Sequence, residues 1–212
     1  MEVEDTRPGL KKFIVFEGID GSGTTTQLNR LAKRLKDEGI SAHATAEPTG
    51  RPEGQLIRRI LKGELITDPG TVAFLFAADR HEHLYGAQGI LERLRDGQAV
   101  ICDRYVLSSL AYQGVTCGAA LPSRLNALFP PPGLTVHFRI DPESAMRRVA
   151  QRKELEIYEV TDMQRKVAAA YDDLVEEKRK EGWRIEIVDA SLPIQEIEQA
   201  VYGLCKAFLS VS

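Results

Sequence analysis

The sequence is poor in cysteine, in tryptophan and in long apolar runs, and each shortage closes off a class of protein. Three cysteines, Cys102, Cys117 and Cys205, are scattered through 212 residues. They match no metal-ligand spacing and no even-numbered disulfide framework. The longest apolar runs are strand-sized, well below the roughly 20 residues that span a bilayer. Met1 to Lys12 is polar and lacks the apolar centre of a signal peptide. A reduced, cytoplasmic setting with no membrane contact is expected. Twenty-eight Lys and Arg stand against 31 Asp and Glu, a net charge of −3, so no basic field points to nucleic acid. The four histidines, His43, His81, His83 and His137, form no nucleophile–base constellation. His81 and His83 are two residues apart, which puts them on different sides of a helix and makes them a poor metal pair. No internal repeat and no low-complexity tract is present.

What remains is a chain with 43% hydrophobic and 28% charged residues, suited to one globular domain spanning 1–212. Strand-like runs occur at Phe13–Phe16, Ala99–Cys102, Leu134–Ile140 and Ile185–Val188, with a weaker one at Ala42–Ala46. Between them, apolar residues fall at helical spacing: Leu28, Leu31 and Leu35; Leu56, Ile57, Ile60 and Leu61; one long stretch from Val72 to Leu94; then Met146 and Val149; Val167 to Val175; and Ile194 to Phe208. Strands alternating with helices predict an α/β fold, a parallel sheet of about five strands covered on both faces. Pro130-Pro131-Pro132-Gly133 reads as a break before a strand. The charged run Gln151–Glu159 reads as a mobile excursion between two helices.

The first strand runs into Gly18-Ile-Asp-Gly-Ser-Gly-Thr-Thr-Thr26. This is the outline of a phosphate loop, G-x-x-x-x-G-K-[ST], strand before and helix after, at 18–26. Gly18, Gly21 and Gly23 allow close backbone approach. Successive N–H groups, with those of Ser22, Thr24, Thr25 and Thr26, would form an anion-binding nest at a helix N-terminus. Thr25 matches the hydroxyl that ligates Mg²⁺. Position 24 departs from the motif, with threonine where lysine is expected. That lysine ordinarily offsets charge developing during phosphoryl transfer. Lys12, Arg51, Arg148, Arg152 and Lys153 are the candidate replacements. Asp20, a carboxylate inside the loop, makes sense facing a metal, a water or a sugar hydroxyl. Asp103-Arg104-Tyr105 follows the strand Ala99–Cys102, at the ligand edge of such a sheet. There Asp103 would serve Mg²⁺ and Arg104 a phosphate, although Asp-Arg pairs also abound as surface ion pairs.

Taken together, these stretches resemble the thymidylate kinase family. The matches are Phe16 to Gly23; Glu47-Pro48-Thr49-Gly50 with Gly54 and Arg58; Leu75 to Arg80; Asp103-Arg104-Tyr105 with Ser108 and Ala111-Tyr112-Gln113-Gly114; a basic lid segment near 150–160; and Asp189-Ala190. The resemblance implies an ATP- and Mg²⁺-dependent conversion of dTMP to dTDP in dTTP synthesis, by a homodimer. It implies that Phe76 stacks on thymine, that Arg80, Ser109 and Gln113 meet the base's polar edge, and that Tyr112 packs beside the deoxyribose. Arg58 and Arg104, near Ser108, would hold the acceptor phosphate. Asp20 and Glu47 would order the site, and Arg152 would reach the transferred phosphoryl group. Ala46 stands where many relatives carry arginine, so two cationic positions are neutral here.

A phosphate monoester acceptor needs no general base, because its second pKa is about 6. The chemistry asks instead for positioning, positive charge and exclusion of water. Two other readings stay open on sequence: a nucleotide-binding protein with little turnover, marked by Thr24, and a kinase of the same fold for another monophosphate.

Overall fold

The structure, a computed structural model, describes residues 9–150, 158 and 160–211. Five strands form one sheet: β1 (Leu10–Gly18), β2 (Ala42–Ala46), β3 (Ala99–Asp103), β4 (Pro132–Arg139) and β5 (Ile185–Asp189). Their order is β2-β3-β1-β4-β5, and every pairing is parallel. The expected fold class is the observed one. Central β1 explains the near-continuous apolar reading. Phe13, Ile14, Val15 and Phe16 are all essentially inaccessible, because helices cover both faces. Full burial of such side chains contributes about 1.5–3 kcal/mol each.

The helices are α1 (Thr24–Asp37), α2 (Pro52–Leu61), α3 (Pro69–Tyr85), α4 (Ile90–Arg95), α5 (Val106–Cys117), α6 (Ala120–Asn126), α7 (Pro142–Val149), α8 (Thr161–Lys180) and α9 (Ile194–Ser210). Two expectations are corrected. The stretch Val72–Leu94 is not one helix: α3 ends at Gly86, and Gly89 precedes α4. A side chain at Gly89 would collide with the carbonyls of Gly86, His83 and Leu84, so the chain turns there on glycine. The Pro-Pro-Pro-Gly segment is not wholly outside the sheet, since β4 begins at Pro132. Pro132 pairs with Leu10 at the start of the strand, where a missing N–H is tolerated. Helix α6 carries no apolar periodicity long enough to stand out. The lid reading near 150–160 falls largely outside the described residues.

The register brings three strand ends to one edge. Phe16 lies opposite Asp103, Ala46 opposite Asp103, and Gly18 opposite Phe138. The chain leaves β1 for β2 on one side and later reaches β4 on the other. The crevice at the end of β1 is therefore a topological switch point, where open α/β sheets bind ligands.

Candidate active site

The loop after β1 is shaped by backbone constraints that only glycine meets. Gly21 (φ +84°) and Gly23 (φ +92°) adopt left-handed conformations, and a Cβ on Gly21 would lie 2.3 Å from the Ala145 carbonyl oxygen of α7. Helix α1 then starts with no side-chain cap and no acidic residue in its first turn. By contrast, α3 and α7 are capped by Asp68 and Asp141. The uncapped N–H groups and the positive end of α1 leave an anion site open. Thr24 is buried, while Thr25 and Thr26 are exposed.

The Thr25 hydroxyl donates to Asp103 Oδ2 at the end of β3. Asp103 Oδ1 is buried with no hydrogen-bond partner. A hydroxyl beside a carboxylate with a free oxygen is the hard-oxygen donor set that suits Mg²⁺. Arg104 follows with φ +72°, its N–H bonded to Phe16 O at 2.8 Å. That turn brings its guanidinium back over the loop. Nη1 donates to Gly18 O at 2.8 Å and Nη2 to Asp20 Oδ1 at 2.5 Å, and the group lies 5.2 Å from the Tyr112 ring centroid. Below it, Glu17 accepts from Tyr105 N–H, Ser108 Oγ and Tyr171 Oη at 2.9, 2.5 and 2.9 Å. Burial raises the Glu17 carboxyl pKa, opposed by Ser108, Arg104 and Tyr171.

Arg80 of α3 is 1% exposed. Its fork donates to Glu47 Oε2 at 2.9 and 2.7 Å, to Tyr105 O at 2.8 Å, to Ser109 Oγ at 3.0 Å and to Asn126 Oδ1. His83 Nδ1 meets the other Glu47 oxygen at 3.0 Å. The segment after Glu47 is pinned by Asp79, which accepts from Thr49 N–H at 2.8 Å and from the Thr49 hydroxyl at 2.5 Å. The Glu47–Pro48 peptide is cis, and Arg58 donates to Pro48 O. Phe76, Tyr112 and Gln113 complete the wall, with Gln113 Oε1 buried and unpartnered. Burial pushes the Tyr112 phenol pKa up, so it is a neutral hydroxyl. Glu47, His83 and Cys102 place potential metal ligands within 4.8 Å of one another. Each atom set is already committed: Glu47 to Arg80 and His83, His83 Nε2 to Thr45, and Cys102 to Arg104 O. The adjoining guanidinium also repels a cation.

One cleft of about 360 Å³ joins the two halves, lined by Asp20, Gly21, Gly23 and Thr24–Thr26 on one side and by Glu47, Arg58, Phe76, Arg80, Ser109, Tyr112 and Gln113 on the other, with Asp103, Arg104 and Ser108 between. Gly18 and Ser22 underlie it: Ser22 is buried, and a side chain at Gly18 would meet Ser22 Oγ at 2.7 Å. Every described site residue of the sequence reading is thus in the cleft or under it.

The candidate replacement cations separate sharply. Lys12 is ruled out, because it sits early in β1 and its exposed amine meets Gly97 O at 3.4 Å, away from the loop. Arg51 is committed to Glu82 and Ala87 O at 2.6 and 2.7 Å. Arg148 lies against the loop, donating to Gly21 O at 3.4 Å and Ala190 O at 3.0 Å. Arg152 and Lys153 lie outside the described residues. Sequence reasoning missed Glu17, Asp79, Asn126, Gln164 and Tyr171. All are ordinary polar residues whose partners across the site lie 30 to 154 positions away, and no spacing rule signals them.

The family model described as thymidylate kinase matches residues 16–201. A protein of Treponema pallidum (strain Nichols) is 38% identical over 195 residues, covering 91% of this chain and 93% of its own. The thymidylate kinase of Caldicellulosiruptor saccharolyticus is 41% identical over 144 residues, 65% of this chain and 69% of the relative. That of Ligilactobacillus salivarius is 33% identical over 210 residues, 93% and 99%.

Proposed function

The chain belongs to the thymidylate kinase family, and from that membership and the cleft's geometry we infer that it phosphorylates dTMP to dTDP with ATP as donor. The observation that carries this reading is the continuity of the cleft, in which an anion-binding loop and an arginine-lined pocket face each other across Arg104. Two polyanions can be brought side by side there.

In this reading the donor's phosphates lie on the N–H groups of Gly21 to Thr26. Thr25 and Asp103 would hold Mg²⁺, whose charge would neutralise donor phosphate oxygens. On the acceptor side Phe76 stacks on the base. Arg80, fixed by Glu47, and Ser109 and Gln113 present hydrogen-bonding groups to its edge, with Gln113 Oε1 the unpaired acceptor. The buried Tyr112 ring would pack beside the sugar, favouring one without a 2′-hydroxyl. Arg58, Arg104 and Ser108 hold the acceptor phosphate, and Asp20 orients Arg104 through their ion pair. Because that phosphate is already anionic near pH 7, no side chain removes a proton. The residues align the attacking oxygen, supply positive charge and displace water. Arg152 supplies further charge to the transferred group, offsetting the neutral Thr24.

A homodimer forms in this reading through α3 and its neighbours, where Phe74 and Tyr85 are half exposed and Ile66 fully so. Among the described residues no helix is long and apolar enough to cross a membrane, and all three cysteines are free thiols, which fits the cytoplasmic placement.

The test is direct. Protein, ATP, Mg²⁺ and dTMP are mixed and ADP is followed, with dUMP, UMP and AMP as parallel acceptors. The expected result is turnover with dTMP at least tenfold above the others in kcat/KM. Tight dTMP binding without ADP would identify a nucleotide-binding protein instead. Preference for another monophosphate would reassign the acceptor.

A further inference from the structure

Gln164 lies on α8, is completely buried, and does not line the cleft. All four hydrogen-bonding valences of its amide are used. Nε2 donates to Asp20 Oδ2 at 2.8 Å and to Tyr158 O at 2.8 Å. Oε1 accepts from Asp20 N–H at 3.2 Å and from the Tyr112 hydroxyl at 3.3 Å. One side chain therefore grips the backbone and the carboxylate of the loop acid, the phenol on the acceptor side, and the chain at residue 158, whose ring lies 5.8 Å from that of Tyr112. Asp20 in turn spends its other oxygen on Arg104.

We propose that Gln164 is a positioning residue for phosphoryl transfer: it fixes the rotamer of Asp20, and through Asp20 the guanidinium of Arg104, relative to Tyr112. The proposal rests on the kinase reading above and names a group that touches neither nucleotide. An uncharged amide is the side chain this place requires. It must donate to a carboxylate and accept from an N–H and an O–H at once. Leucine does neither. Lysine donates but accepts nothing. A glutamate accepts but sets a second carboxylate against Asp20, and two such groups sharing a site cannot both ionise. Among the described residues, the charged and titratable groups facing position 164 are Asp20 and Arg104 from the loop and the end of β3, Tyr112 from α5, and Tyr158.

The experiment measures kcat and KM for both nucleotides in wild type, Gln164→Leu and Gln164→Glu from pH 5.5 to 8.5, with folding checked by circular dichroism. Gln164→Leu is expected to lower kcat/KM for dTMP at least tenfold, as misplacement of a catalytic group by a fraction of an ångström does. KM for ATP is expected to change less than threefold. Gln164→Glu is expected to match that loss at pH 8.5 and to recover at least threefold relative to wild type toward pH 5.5. There the protonated acid again donates to Asp20 and accepts from its neighbours. Should the leucine variant fail to fold, the glutamate pH profile alone decides. A Gln164→Glu profile parallel to wild type, or an undiminished Gln164→Leu, overturns the proposal. Failure of the kinase reading itself is distinct, since it would appear as absent ADP formation by the wild type.

Discussion

Thr24 stands in the first turn of α1 with 5% exposure, so any replacement must fit space that the fold has already closed. Two guanidinium groups border the same loop, Arg104 at Gly18 O and Arg148 at Gly21 O. If arginines provide the charge, a lysine at 24 adds crowding and little else. Thr24→Lys is expected to change kcat by less than tenfold in steady-state assays. A tenfold or greater rise would mean the loop works without a substitute cation. Arg80 allows a sterner test. Removing it leaves the Glu47 carboxylate, whose side chain is 2% exposed, without its main partner. Breaking a buried pair on one side typically costs about 3–5 kcal/mol. Arg80→Ala is expected to lower unfolding free energy in urea by that order and to raise KM for dTMP at least tenfold. Unchanged stability would mean that the Arg80–Glu47 pair does not hold this part of the fold together. At this scale the sequence was informative where a residue type and a short spacing coincide, as at Gly18, Gly23, Thr25 and Asp103. It was silent on Gln164 and Glu17. A buried glutamine on a charged helix looks like any solvated one until the loop that it grips is folded against it.

The elements tell a similar story. Strands β1, β3 and β4 were legible because both their faces are apolar, and the strand ends proved zero to three residues off. Helix boundaries were less so. Apolar residues continue from Val72 to Leu94 across the turn at Gly86–Gly89, so periodicity alone joins α3 to α4. What divides them is the tight packing of Gly89 on the end of α3. The contact between α7 and the phosphate loop lies beyond sequence reading altogether. Gly21 faces Ala145 O and Val149 at distances that admit no side chain, and its φ is left-handed. Strain and collision act together in Gly21→Ala, with backbone strain alone costing about 1–3 kcal/mol. The loop must shift or α7 must retreat. The expected outcome is a loss of at least 1 kcal/mol in urea and a KM for ATP raised more than that for dTMP. An equal rise in both KM values would mean that the loop's shape is not what seats the donor.

For the molecule as a whole, pH reads out the burial of one histidine. His137 of β4 is 3% exposed, stacks on Tyr171 with ring centroids 5.1 Å apart, and has an unpartnered Nδ1. Burial is the largest influence on it, with Asp172 and the Glu17 backbone opposing, and its pKa is lowered from 6.5 to about 4. The folded protein thus refuses a proton that the unfolded chain accepts. Above pH 6.5 both states are neutral there and stability is undiminished. As pH falls from 6.5 toward 4 the unfolded state binds the proton first, and stability is lost. Between pH 7 and pH 5 this one group should remove about 2 kcal/mol. Burial raises the carboxyls of Glu17 and Asp79, which work in the opposite direction at the acid end. The informative quantity is therefore the difference between wild type and His137→Phe, which keeps a ring against Tyr171 and cannot titrate. Its urea-derived stability should fall less than that of wild type between pH 7 and pH 5. Equal losses would place the proton uptake elsewhere, and would mean that His137 is solvated enough to charge without opening the sheet.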